Sequence, residues 1–231
     1  MTNKEFVREL ERIASLKTFY IKGGFGLTLN AKGKKRAIES YKENAARADR
    51  INALDNDTFG FDCCGLIKGF IWGFIGDPKK VYGGAVYKAN GLNDVNESGL
   101  LKLCKEVSEN FDNLIPGEFL YTNKPNGHCG IYAGNGKVIE ATPSGKCGVQ
   151  ITDLNRVKWL KHGKLPYIQY EETPASNTPQ TDSVFHIVRP GETLTSIAKK
   201  YGFKDYRALW AINPQIINPN LIYSGQKIKI K

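Results

Sequence analysis

Between Glu171 and Val184 the chain reads E-E-T-P-A-S-N-T-P-Q-T-D-S-V, a run of Pro, Ser, Thr, Asn and acidic residues with almost nothing apolar to bury. Such a segment gains too little from burial to offset the entropy of ordering it, which is the signature of an exposed linker. One continuous core spanning it is therefore excluded. The 231 residues divide into a larger domain, residues 1–170, a linker, 171–184, and a small domain, 185–231.

Charge and cysteine usage narrow the chemistry. The net charge of +10 suits a polyanionic partner, but no basic stripe with interleaved aromatics points to nucleic acid. An anionic cell wall serves equally well. Five cysteines, at 63, 64, 104, 129 and 147, are an odd set without regular spacing, so a closed disulfide framework is not expected. No C-x-x-C pattern appears, so neither zinc nor any other cofactor is expected. Residues 1–16 place Phe6, Val7, Leu10, Ile13 and Leu16 at helical spacing between charges, which reads as an amphipathic helix rather than a signal peptide. No apolar run is long enough to span a membrane. Synthesis in a reducing cytoplasm is the expectation.

Within residues 1–170, helical patterning is expected over 2–16, 36–51, 63–75 and 96–110. Short strands separated by K-P-N-G, G-N-G and P-S-G-K follow at 115–121, 128–134, 137–142, 149–152 and 165–170. Helices first and an antiparallel meander after them indicate an α+β fold. The chemistry sits at the junction. Asp62-Cys63-Cys64-Gly65-Leu66 opens an apolar run, which puts Cys63 in the first turn of a helix, where unpaired N–H groups and the dipole favour thiolate. Three histidines are available as a base: His128, His162 and His186. The competing reading of Cys63 and Cys64 is inert core packing.

Residues 185–231 read as strand (185–188), a turn at Pro190-Gly191-Glu192, a helix capped by Thr193 with Leu194, Ile197, Ala198 and Tyr201 inward, a second helix (206–213), and a strand carrying Ile228 and Ile230. V-R-P-G-E-T-L-T-S-I, Asn213-Pro214 and I-Y-S-G-Q-K-I-K-I resemble a LysM carbohydrate-binding repeat. The resemblance implies a βααβ fold that binds N-acetylglucosamine-containing glycans. Gly191, Glu192, Thr193 and Leu194 would line one side of the groove; Ile217, Asn218, Asn220, Leu221 and Ile222 would line the other.

Tyr20-Ile21-Lys22-Gly23-Gly24, Asp62 to Leu66 and Gly127-His128-Cys129-Gly130-Ile131-Tyr132, in that order, are similar to the pattern of NlpC-type papain-like cysteine peptidases over residues 15–170. That resemblance implies helices packed on a small antiparallel sheet and hydrolysis of an amide in a peptidoglycan stem peptide, commonly γ-D-glutamyl–diamino acid. It assigns Cys63 as nucleophile and His128 as base, with Tyr20 and Asp62 on the substrate or oxyanion side and Glu140 as the residue orienting His128. The chain departs from the family at two positions. Cys64 stands where the family has Ser, giving two adjacent thiols, and Glu140 stands where His, Asn or Gln is more common. His162, expected at the surface, is the competitor for the third role. Cleavage of the lactyl–L-alanine bond by an amidase, or wall binding without catalysis, are the alternatives. A wall-directed enzyme of this kind without a signal peptide is expected to be released by phage-type lysis, as an endolysin is. Residues 77–113 carry no functional reading.

Overall fold

Thr2 starts the chain's first helix by a capping box: its hydroxyl accepts from the Glu5 N–H and the Glu5 carboxylate accepts from the Thr2 N–H. The computed structural model describes residues 1–123, 125–171, 184–189, 191–213, 216, 219, 222 and 226–230. They fall into two compact units, Met1–Glu171 and Glu172–Lys231.

In the first unit, α1 (Asn3–Ser15) leads to β1 (Thr18–Tyr20), β2 (Phe25–Thr28), α2 (Ala31–Ser40), α3 (Lys42–Ala45), α4 (Ala48–Asn52), β3 (Phe59–Phe61) and α5 (Cys63–Ile71). Then come α6 (Glu97–Leu103), β4 (Lys105–Ser108), β5 (Phe119–Thr122), β6 (His128–Gly134), β7 (Lys137–Thr142), β8 (Gly148–Asp153) and β9 (Lys161–Lys164). The last six strands form one antiparallel sheet in the order β4-β9-β5-β6-β7-β8. Helices α1 and α5 pack against it, burying Phe6, Leu10, Ile13, Leu66 and Ile67 against Ile131, Ile139 and Val149. The architecture is α+β.

The structure corrects several boundaries. The expected helix 36–51 is three pieces, α2 to α4, interrupted by extended Tyr41. The break places the fully buried Asn44 amide where it donates to the carbonyls of Lys22 and Ala37 and accepts from the Lys22 N–H, each at 3.0 Å. One buried amide thereby anchors the turn that carries Gly23 and Gly24. The expected helix 63–75 stops at Ile71. The expected helix 96–110 stops at Leu103, because Lys105–Ser108 pairs with β9. The last strand of the meander lies at Lys161–Lys164, ahead of the expected 165–170. A three-stranded sheet, β1-β3-β2, is additional; β1 and β3 run parallel.

Helix α5 holds its N-terminus against that sheet through glycine. A Cβ on Gly65 would lie 1.7 Å from the Gly24 carbonyl oxygen, and one on Gly69 would lie 2.4 Å from that of Phe25. The G-x-x-x-G face therefore lets the helix backbone touch the strand. Gly65→Ala tests this. At an ordinary helical site alanine gains about 1 kcal/mol over glycine, but overpacking costs about 1–3 kcal/mol or more. The clash with backbone wins, and a lowered urea midpoint is expected; an unchanged or raised midpoint would show that the close approach is unimportant.

The second unit is β10 (Phe185–Ile187), α7 (Leu194–Lys200), α8 (Tyr206–Ala211) and β11 (Lys227–Lys229), with the two strands antiparallel. Thr193 caps α7 by accepting from the Ser196 N–H, and Val188, Leu194, Ile197, Leu209 and Ile228 form the core. The second helix ends at Ala211, two residues before the expected Asn213, whose buried amide donates instead to the carbonyls of Leu209 and Lys229.

Candidate active site

Asp62 is the N-cap of α5. One carboxylate oxygen accepts from the Gly65 N–H at 2.5 Å and the other from the Gly23 N–H at 2.7 Å. The residue expected beside the substrate thus ties the helix start to the Gly23-Gly24 turn. Burial is the main cause raising the Asp62 carboxyl to about 6, followed by the Cys63 thiolate, and the two backbone N–H groups oppose the rise. Cys63 is the first residue of the helix, so its N–H has no intrahelical acceptor and the dipole favours its thiolate.

Three sulfurs converge there. Those of Cys63, Cys64 and Cys129 all lie within 4.8 Å of one another, with Cys64 and Cys129 3.7 Å apart. Cys63 is held far below the usual thiol range, chiefly by hydrogen bonds from Cys129 and Cys64, with burial opposing and His128 adding to the stabilisation. Cys64 moves the other way: a hydrogen bond with Cys129 favours its thiolate, but Cys63 and burial outweigh it and keep the thiol protonated. Cys129, fully buried, is likewise raised, first by burial. Of the two adjacent thiols, Cys63 is thus the one whose thiolate is favoured.

His128 begins β6, and Cys63 is among the groups that favour its charged form. Its Nε2 bonds the Glu140 carboxylate, so Nδ1 is the ring nitrogen not committed to that carboxylate. Burial lowers the His128 pKa, but the bonds to Cys63 and Glu140 prevail and raise it to about 9. Glu140 is fully buried. Burial pushes its carboxyl up, yet hydrogen bonds from His128, Thr152 and Arg156 outweigh that and keep it ionised. Arg156 reaches one Glu140 oxygen with Nη2 at 2.6 Å and Nε at 2.9 Å, and the Thr152 hydroxyl donates to the same oxygen. The hairpin register makes this possible. Ile131 pairs with Ile139 and Tyr132 with Val138, which puts Glu140 opposite Gly130. A Cβ there would sit 2.7 Å from Val138 Cγ1 and 3.4 Å from Glu140 Cβ. The glycine leaves room for the Val138 side chain beside Glu140.

Trp159 stacks on the His128 ring, 5.7 Å between centroids and 22° between planes. Arg156, Thr152 and Trp159 belong to no motif that marks them as site residues in the sequence, and Cys129 lies within the His128 motif at a position to which the motif gives no role. His162 does stand out there, and its expected surface position is corrected: it is buried, with Nδ1 2.9 Å from Glu118 Oε2 and Nε2 2.8 Å from the Asn110 carbonyl. Both ring nitrogens are engaged within β9 and its neighbours. Its contacts are with Glu118 and Asn110 rather than with Cys63.

A cleft of about 390 Å³ opens over Cys63, lined also by Tyr20, Asp62, Cys64, Asp94 and Glu97. Tyr20 is half-buried at the end of β1, and burial, then the Cys63 thiolate, keep its phenol protonated. Asp94 and Glu97 come from the stretch 77–113, which thereby supplies one wall. Tyr20, Lys22 and Gly127 also line a second hollow, to which Arg47 contributes.

In the second unit a cavity of about 240 Å³ is lined by Glu192, Thr193, Leu194, Tyr206, Pro219 and Ile222. Gly191 adopts φ +83°, at the turn before α7. Glu192 accepts from the Arg189 N–H and bonds His186 Nε2 at 2.6 Å. Ile217, Asn218, Asn220 and Leu221 lie outside the described residues.

Comparison with known proteins bears on the two units unequally. Residues 186–231 match the LysM domain family; the C-terminal unit is a LysM domain. The chain is 53% identical over 45 residues to the spore coat assembly protein ExsA of Bacillus cereus, covering 20% of this chain and 7% of that protein. It is 42% identical over 59 residues to the endolysin of Bacillus phage B103, covering 26% and 21% respectively. It therefore spans less than a quarter of either relative. Among solved structures, NlpC1 of Trichomonas vaginalis aligns over 71% of this chain and 44% of its own, at 15% identity and TM-score 0.40. NlpC2 of the same organism covers 71% and 46%, at 14% and 0.35. Among the described residues no helix is long and apolar enough to cross a membrane.

Proposed function

We propose that this protein is a peptidoglycan hydrolase in which residues 1–170 are a cysteine peptidase of Cys63-His128-Glu140 type, joined by the linker 171–184 to a LysM domain, 185–231, that holds the wall glycan. The observation that carries the reading is the arrangement at the start of α5: a cysteine at the first helical position, and a histidine whose Nε2 is held by a buried carboxylate, each favouring the charged form of the other.

The mechanism follows from those groups. The Cys63 thiolate attacks the amide carbonyl, and the oxygen that becomes negative is stabilised by the free Cys63 N–H and the Tyr20 hydroxyl, which stays protonated. His128 gives its proton to the leaving amine, forming a thioester. It then takes a proton from the water that hydrolyses the thioester. Asp62 acts by fixing the helix N-terminus. The substrate is a stem-peptide amide, with γ-D-glutamyl–diamino acid the bond favoured by the motif resemblance. In the LysM domain, Gly191, Glu192, Thr193, Leu194 and Ile222 face an N-acetylglucosamine-containing glycan, supported by the family match and by the cavity beside α7. One repeat binds weakly, and the tether raises the local concentration of stem peptide at Cys63. The relative named as an endolysin supports release by phage-type lysis as the setting.

Digestion of a defined peptidoglycan followed by mass spectrometry tests the reaction. Peptides cut after D-glutamate support the endopeptidase; whole stem peptides freed from glycan would make it an amidase. A second expectation concerns pH. Cys63 is a thiolate far into the acid range, so it should be alkylated by iodoacetamide at mildly acidic pH, while Cys104, pushed to about 12 by burial and then by Glu118, stays unmodified. A labelling rate that rises only through about pH 8.5, as for an ordinary thiol, would sink the assignment. Hydrolysis should fall as pH rises through about 9, where His128 loses the proton the leaving amine needs.

A further inference from the structure

Hydrolysis requires one sulfur, and this site holds three. Cys64 and Cys129 form no bond to the substrate in the proposed hydrolysis, yet both are buried in the same core cluster as Cys63. Their positions come from separate elements: Cys63 and Cys64 from the first turn of α5, Cys129 from the second residue of β6. A zinc–thiolate bond is about 2.3 Å long, so two sulfurs on a tetrahedral ion sit about 3.8 Å apart. The Cys64–Cys129 separation of 3.7 Å already meets that edge. Cys63, within 4.8 Å of both sulfurs, needs to close by at most about 1 Å. A fourth donor is in reach: Glu97 Oε2 lies 3.8 Å from the Cys64 sulfur and lines the same cleft as Cys63 and Cys64. The cleft therefore leads a cation from solvent to the front two sulfurs, with the third behind them. Thiolates select soft d¹⁰ ions over calcium or magnesium, which want oxygen. The missing C-x-x-C spacing does not bear on a cluster assembled by helix-on-sheet packing.

We propose that Cys63, Cys64 and Cys129 form a capture site for one thiophilic divalent cation of the zinc and cadmium class, and that its occupation withdraws the nucleophile from catalysis. Binding joins three sulfurs to the ion and releases the protons of Cys64 and Cys129 to solvent; nothing is oxidised. The imidazolium of His128 beside the cluster offsets the net negative charge of a dication bound by three thiolates. Capture stands on the sulfur geometry alone, whereas its effect on turnover rests on the proposed role of Cys63.

The test titrates the reduced full chain with cadmium ion, following thiolate-to-cadmium charge-transfer absorbance, and reads the number of bound sulfurs by X-ray absorption. One ion per chain with three sulfurs is expected. Cys64→Ser and Cys129→Ser should each weaken binding at least tenfold, with Cys104→Ser unchanged. One-sulfur coordination in the unaltered chain, or equal weakening in Cys104→Ser, overturns the capture site. The sulfur count in the unaltered chain decides the matter even where a variant fails to fold. Peptidoglycan hydrolysis by the unaltered chain should fall at least tenfold with stoichiometric cadmium and return on chelation. Three-sulfur binding with hydrolysis untouched would leave the capture site standing and overturn Cys63 as the nucleophile.

Discussion

Cys63→Ala is expected to lower stem-peptide hydrolysis by at least ~10⁴-fold, because removing the nucleophile of such a site leaves only the residual effects of binding and oxyanion stabilisation. Glycan binding by the LysM domain should be unchanged, since its cavity is lined wholly by its own residues. The neighbouring thiol does not rescue the variant. Cys64 occupies the second helical position, its sulfur directed toward Cys129 and Glu97. Cys63 and burial hold it protonated, and its bond to the Cys63 thiolate makes it a donor rather than an attacker. Cys64→Ser keeps a donor in place and should cost within about tenfold, since a hydroxyl replaces one hydrogen bond worth about 1 kcal/mol. Product analysis by mass spectrometry alongside glycan pull-down separates the cases. Retained hydrolysis in Cys63→Ala, with loss in Cys64→Ala, would move the nucleophile one residue on.

How much of this was legible in the sequence depends on how local each feature is. Helix α1 shows its apolar spacing and its capping box within five residues of its start. The same holds for Asp62 capping α5 and for the β6–β7 hairpin, whose G-N-G turn fixes the register that faces Glu140 toward His128. The small sheet was not legible. Its strands are three or four residues long, one contains a bulge, and β1 pairs in parallel with a strand some forty positions away. Nothing in T-F-Y or F-G-F announces that pairing. Arg156 ends a 3₁₀ turn after β8 and Trp159 follows it, so only the folded chain sets them beside Glu140 and His128. The third sulfur needs α5 packed on β6 across 65 positions. His162 misled for a different reason. K-H-G-K reads as a polar surface run, but its buried partner is itself a charged residue, Glu118, and a polar pair inside breaks the apolar-in pattern that sequence reading depends on.

Glu140→Gln should slow hydrolysis by roughly 10² to 10⁴-fold, the range expected when the carboxylate that orients a catalytic histidine becomes an amide. The substitution keeps shape and volume but removes the charge that holds His128 protonated toward Cys63. The amide also leaves the Arg156 guanidinium without its carboxylate. It can present an N–H to His128 Nε2, which favours the wrong tautomer. A pH titration distinguishes this from general damage. In the unaltered chain His128 has its pKa raised to about 9, above the ordinary 6.5 of an unfolded chain. Its contribution to stability is therefore complete below about pH 6.5 and is lost as pH rises through about 9. In Glu140→Gln the His128 pKa should fall toward the ordinary value, so the alkaline limb of hydrolysis moves to lower pH and the stability difference between the two proteins shrinks across the same window. His162→Ala supplies the contrast. It removes the partner of buried Glu118, so it should lower the melting temperature, by about 1–3 kcal/mol of stability, and leave the pH profile of turnover in place. If His162→Ala shifted that profile and Glu140→Gln did not, the orienting role would belong to the Glu118–His162 pair.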